Sequence, residues 1–276
     1  MSDPTPGDTG AGEPNPYAAP TFPTTIPKPS PGPRYLAEGR TVPAGNGAAW
    51  FGGGWEIFKE APGTWILFAV ILFVGSIVVG FIPLGSLAVS LVSPVMLGGI
   101  MLGCAAIKQG EALELGHLFA GFSAKAGPLV LVGLLYLVGT IAIMVIVFVV
   151  ALAGIGSSGI TAMLSGDGFD SISSLGGVLF SVLFAVLLFL LLLIPLLMAF
   201  WFSVPLVVFH AVEPLAAMRA SFKACLHNFV AFLVYGLIGL VLAIVACIPF
   251  MLGWLVLIPL TMTSMYAAYR DIFFEA

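Results

Sequence analysis

LGGVLFSVLFAVLLFLLLLIPLLMAFWFSVPLV, residues 175–207, carries no charged side chain. A bilayer core about 30 Å thick is crossed by about 20 helical residues, so a stretch this long reads as membrane-spanning with residues to spare. Pro195 and Pro205 interrupt it. Two short passes would put Arg219 and Lys223 outside, against the rule that cytoplasmic loops keep the positive charges. One helix, kinked or broken near Pro195, is therefore predicted.

Five further apolar runs flank this one, at 64–83, 86–107, 128–153, 229–250 and 252–269. Composition agrees with a membrane class. Charged residues make up 8% of the chain and hydrophobic residues 60%, with a mean hydropathy of +1.15. A soluble domain carries about 25% charged residues. The chain reads as an all-α integral membrane protein with six transmembrane helices.

The basic residues set the orientation. Lys28, Arg34, Arg40 and Lys59 precede the first run; Lys108 and Lys125 lie between the second and third. Arg219 and Lys223 lie between the fourth and fifth, and Arg270 follows the sixth. The other connections hold no Lys or Arg, so both termini are expected in the cytoplasm. No clustered basic face suggests nucleic-acid binding. The first apolar run starts too late for a cleaved leader, so residues 1–47 are expected to stay attached as a cytoplasmic tail.

That tail is rich in proline from Pro4 to Pro43, alternating at Pro27, Pro29, Pro31 and Pro33. It has too little apolar surface to offset the entropy of ordering. Disorder with extended polyproline character is expected, ahead of a membrane domain at 48–276. Such an arm is either a spacer or a docking site for a cytoplasmic protein partner.

Three stretches share a design: 54–60, 116–125 and 217–224 each place a short amphipathic segment before an apolar span. In the second, Leu115, Leu118, Phe119 and Phe122 oppose Glu114, His117, Gly121 and Lys125; in the third, Leu215, Met218 and Phe222 oppose Arg219, Lys223 and His227. This is the pattern of helices lying in the membrane interface, apolar face down. The returning spans share a proline followed by a methionine: Pro94 with Met96, Pro195 with Met198, Pro259 with Met262. Three tandem helix-plus-hairpin repeats are inferred.

Chemistry-bearing residues are sparse. No ionisable side chain falls at mid-span, which removes the usual carriers of ion-coupled transport. Glu114 with His117, and His210 with Glu213, are spaced three apart and could each present two metal ligands on one helix face. They lie on faces expected to be wet, with His227 nearby, so they are weak candidates and no cofactor is expected. Asp167 and Asp170 sit in a Gly- and Ser-rich loop expected at 154–174, without the spacing of a calcium loop. Cys104, Cys225 and Cys247 have no metal or disulfide spacing. Gly99 and Gly103 form a GxxxG that permits close helix approach. Trp50, Trp55 and Trp65 read as interfacial anchors on the cytoplasmic side and Trp254 on the outer side, with Tyr266 and Tyr269 in the cytoplasmic belt. Ser93, Thr261, Thr263 and Ser264 are expected to be hydrogen-bonded within their helices. No nucleophile elbow, phosphate loop or zinc-protease motif is present.

Three stretches carry a resemblance: SPVMLGGIMLGCAAIKQGEALELGHLFAGF at 93–122, EPLAAMRASFKACLHNFVAFLVYG at 213–236 and YAAYRDIF at 266–273. They resemble a family of uncharacterised multi-pass inner-membrane proteins of Gram-negative bacteria. The likeness covers about residues 50–274. It extends distantly to the membrane domain accompanying some glycerophosphodiester phosphodiesterases, whose soluble catalytic domain has no counterpart here. The resemblance implies location and architecture and supplies no catalytic residues. The expected function is therefore that of a non-catalytic membrane scaffold or adaptor contacting membrane lipids. The alternative is a carrier or flippase for a lipid-like or neutral solute.

Overall fold

A computed structural model describes residues 34–165 and 172–275. The architecture below is that of the unit Tyr35–Ala276. Among the described residues all regular structure is helical. The helices are α1 (Asn46–Glu60), α2 (Pro62–Gly80), α3 (Gly85–Lys108), α4 (Gly116–Ser165), α5 (Ile172–Trp201), α6 (Ser203–His210), α7 (Pro214–His227), α8 (Phe229–Cys247) and α9 (Trp254–Phe273). Asp167 and Asp170 lie outside the described residues. Helix takes up most of the loop expected at 154–174, since α4 reaches Ser165 and α5 starts at Ile172.

Three times a short helical segment meets a long one at a non-helical residue, and each break has its own cause. Ala61 (φ −148°, ψ 57°) precedes Pro62, whose ring disfavours helical backbone before it. Lys125 (φ −152°, ψ 41°) divides α4 ahead of Pro128. Asn228 (φ −109°, ψ 24°) separates α7 from α8 and spends its side-chain amide on the Ala224 carbonyl at 2.9 Å.

The short helices bury faces against protein. In α1 the buried residues are Gly47, Trp50, Phe51, Gly54, Ile57 and Phe58, packed on α9 and α8. In α7 they are Ala217, Met218, Ser221, Ala224 and Cys225, and that helix packs on α5. Small residues let α7 approach closely, so its buried stripe is shifted from the one the larger side chains suggested. Trp50 and Trp65 are core residues too, as are Tyr266 and Tyr269; of the three tryptophans expected as cytoplasmic anchors, only Trp55 is exposed.

The most extensive helix pairing is α3 with α4. A Cβ added at Gly99 would strike the His117 carbonyl oxygen, and one at Gly121 the Val95 carbonyl oxygen. The GxxxG glycines thus serve packing within the chain. Gly121, expected on a wet face, lies buried in this crossing.

The long apolar run is continuous through Pro195 and breaks instead at Phe202, between α5 and α6. Pro205 cannot donate to the Trp201 carbonyl and crowds it. The Ser221 hydroxyl inserts at the break, accepting from the Phe202 N–H at 2.8 Å and donating to the Met198 carbonyl at 2.6 Å.

Five helical stretches are long and apolar enough to cross a membrane: Pro62–Gly80, Gly85–Lys108, Gly116–Ser157, Leu175–His210 and Phe229–Cys247. The stretch expected as a sixth span, α9, is long enough but less apolar. Its Thr263, Ser264, Tyr266 and Tyr269 are buried, and it packs on α1, α2, α3 and α8.

Part of the expected tail is fixed. Tyr35 bridges Phe274, Leu36 donates to the Phe273 carbonyl at 2.9 Å, and the Arg40 N–H to the Ile272 carbonyl at 2.8 Å. These bonds satisfy carbonyls that the end of α9 leaves open. The Arg40 guanidinium reaches Asp271 at 2.8 Å, and Val42 N–H donates to the Asn228 side chain. Tyr35, Leu36, Arg40 and Val42, which fall within the expected tail, are thus held by α9 and Asn228.

Candidate functional site

The four weak candidates form no four-ligand cluster. Glu114 precedes α4, and the His117 ring folds back on it: the Glu114 N–H donates to Nδ1 at 3.1 Å. The Glu114 carboxylate takes no part. His210 ends α6 and Glu213 caps α7, with Ala211 in left-handed conformation (φ 51°) between them. The pair therefore shares no helix face. The His210 ring stacks on Tyr35 with centroids 3.4 Å apart, and its Nε2 lies 2.6 Å from the Tyr269 hydroxyl. Burial pushes the Tyr35 phenol above its usual range. His227 and Glu213 are exposed. Among the described residues no cluster of three or more His, Cys, Asp or Glu could hold a metal.

A groove opens elsewhere, between α2 and α3. The tight turn joining α2 to α3 passes through Leu84 (φ 64°), yet these two helices touch each other far less than α3 touches α4. Between them lies a cavity of about 570 Å³, within the roughly 300–1,000 Å³ typical of small-molecule sites. Ile71, Leu72 and Val79 of α2 form one wall, and Val92, Met96 and Ile100 of α3 the other. Phe119 and Phe122, from the first segment of α4, and Met262 of α9 close one end.

The hydroxyls in this groove are consumed by their own helices. Ser76 donates to the Phe73 carbonyl at 2.7 Å and Ser93 to the Ser90 carbonyl at 3.4 Å. No charged residue lines it. Gly75 and Ser76, with Val89 and Val92, are exposed along its mouth. Phe119 and Phe122, expected to lie face-down in the interface, are about half exposed here, at 51% and 45%. Their neighbour Leu118 is fully buried, so the apolar face of this segment is divided between core and groove.

Thr261, Thr263 and Ser264 each donate to carbonyls within α9, and Ser264 also meets the Tyr235 hydroxyl at 2.8 Å. The groove was not legible in the sequence. Gly75 and Ser76 stood in an apolar run as two small residues among many, and only the splay of α2 from α3 gives them a role.

No family model matches the chain, nor does any curated protein or solved structure.

Proposed function

We propose that this chain is a non-catalytic, six-span protein of the bacterial inner membrane that holds a lipid-like molecule in the groove between α2 and α3. The observation that carries the reading is the groove itself: apolar throughout, with its hydroxyls already bonded, and open along two helices able to cross a membrane. An occupant offered no polar partner must be held by apolar contact, and an acyl chain supplies that. The α9 helix is the sixth span, its polar residues turned toward protein. Both termini are cytoplasmic, in keeping with the distribution of Lys and Arg. The three short-helix, break and long-helix arrangements are the three repeats. A lipid carrier or flippase would use such a groove as its entry. The resemblance to uncharacterised inner-membrane proteins supports the location and is silent on the ligand.

Gly75 gives the test. A Cβ there meets open space and Gly75 lines the groove, so Gly75→Phe is the variant chosen to fill it. Gly80→Phe, also in open space and outside the lining, is the control. Native mass spectrometry of protein taken directly into lipid nanodiscs should show about one retained lipid per chain. Gly75→Phe should lose it while Gly80→Phe keeps it. Equal retention by both variants would remove the reading.

The adaptor reading rests on the prolines at 27, 29, 31 and 33. It requires a cytoplasmic protein that copurifies with the full chain and is lost when residues 1–33 are deleted. A partner that survives the deletion would count against it.

A further inference from the structure

A second cavity, of about 490 Å³, is lined by Ile57 of α1, Ala105, Lys108 and Gln109 at the end of α3, and Tyr266 and Arg270 of α9. Its chemistry is unlike that of the apolar groove. Two cations line it and no acidic side chain does.

The cations are also free. The ion pairs among the described residues are Arg40 with Asp271 and Lys59 with Glu56, so neither Lys108 nor Arg270 has a carboxylate partner there. Asp271, next in sequence to Arg270, is engaged by Arg40, Asn46 and Trp50. The Arg270 guanidinium lies 4.2 Å above the Phe274 ring, which holds its plane and leaves its N–H groups unbonded by any described residue. The Gln109 side chain and the Tyr266 hydroxyl likewise have no described hydrogen-bond partner. The cavity thus collects four sets of donors and no carboxylate.

Both cations stand in the last turn of their helices. Each helix terminus contributes roughly half a negative charge, so two full positive charges leave a net of about one positive charge. We propose that this cavity binds a phosphate-bearing anion, with Lys108 and Arg270 neutralising the charge and Tyr266 and Gln109 donating to the remaining oxygens. A planar guanidinium beside an ammonium suits a tetrahedral oxyanion. Basic pockets between spans on the cytoplasmic side are suited to phospholipid headgroups, and a soluble phosphate monoester presents the same oxygens. The site is separate from the groove, so an empty groove would not remove it.

The test uses the full chain in phosphatidylcholine nanodiscs. One arm titrates glycerol 3-phosphate by native mass spectrometry; the other adds a small fraction of phosphatidylglycerol and counts retained lipid. Retention of the lipid alone assigns the site to a headgroup. Retention of glycerol 3-phosphate assigns it to a soluble phosphate. In either case Lys108→Gln and Arg270→Gln should each weaken binding about tenfold or more, while Lys59→Gln, which removes an ion-paired surface cation, should leave it unchanged. Lys108 is exposed and unpartnered, so its replacement leaves the fold intact. The proposal is overturned if neither phosphate is held above the phosphatidylcholine background. Equal loss in Lys59→Gln would overturn it too, because the binding would then be diffuse surface charge.

Discussion

Asp271 collects three donors on one carboxylate. Its carboxylate accepts from the Arg40 guanidinium, the Asn46 amide at 2.7 Å and the Trp50 indole at 2.8 Å, while its own carbonyl accepts from Arg40 Nε at 2.7 Å. One residue thereby ties the segment before α1, α1 itself and the end of α9. Asp271→Ala would leave the largely buried Trp50 N–H and the Asn46 amide without an acceptor. Each such group costs about 1–3 kcal/mol, and the half-open setting of Arg40 places the total near the lower end, about 2–3 kcal/mol. Thermal unfolding in detergent should show a lowered midpoint, and an unchanged midpoint would mean that water replaces the carboxylate. None of this pairing was readable in advance. Arg40 and Asp271 stand near opposite ends of the chain, and a charge in a sequence does not say which opposite charge it will meet. The spacing of Glu114 with His117 and of His210 with Glu213 was readable, but it misled, because turns at 114–117 and 211–213 replace the continuous helix that spacing assumes.

The break between α5 and α6 shows what an element's sequence can and cannot say. Length and apolarity announced a helix over residues 175–207, and a helix forms. The break was expected near Pro195, yet the helix runs through Pro195 and opens at Phe202, ahead of Pro205. Only the packing of α7 distinguishes the two prolines, because it delivers the Ser221 hydroxyl between the Phe202 N–H and the Met198 carbonyl. Those two groups are four residues apart, the separation of an ordinary helical bond. Ser221 therefore stands in for a bond that the kink has opened. Ser221→Ala should cost about 1–3 kcal/mol and speed hydrogen exchange at the Phe202 amide. Pro205→Ala returns a donor to the Trp201 carbonyl and removes the ring that crowds it. In the double variant the helix can close and Phe202 can bond Met198 directly. The two losses should then sum to less than their separate values. Strict additivity would show that the kink is held by something other than this proline and this hydroxyl.

Across the whole molecule the core and the bare apolar surface separate by position along the helices. Trp65, Phe68, Ile100, Met101, Leu118, Phe202, Leu206, Tyr269 and Phe273 are essentially inaccessible, and they cluster where the short helices join the long ones. The farther reaches of α4, α5 and α8 are different: Phe148, Val149, Phe180, Leu191 and Ile244 are all more than half exposed. A surface of that extent is stable only with lipid as its solvent. The connections far from the core, 81–84 and 248–253, carry no Lys or Arg, whereas Lys59, Lys108, Lys125, Arg219, Lys223 and Arg270 lie on or beside the short helices and the ends that meet them. In the proposed orientation the 248–253 turn faces away from the cytoplasm. The protein carries its own reporter for this assignment. Cys247 is exposed at the start of that turn, with Cys104 and Cys225 buried. A membrane-impermeant maleimide should therefore label Cys247 in intact spheroplasts, and Cys247→Ser should abolish the label. Labelling that appears only after the membrane is permeabilised would reverse the orientation. It would also move the Lys108 and Arg270 cavity to the opposite leaflet.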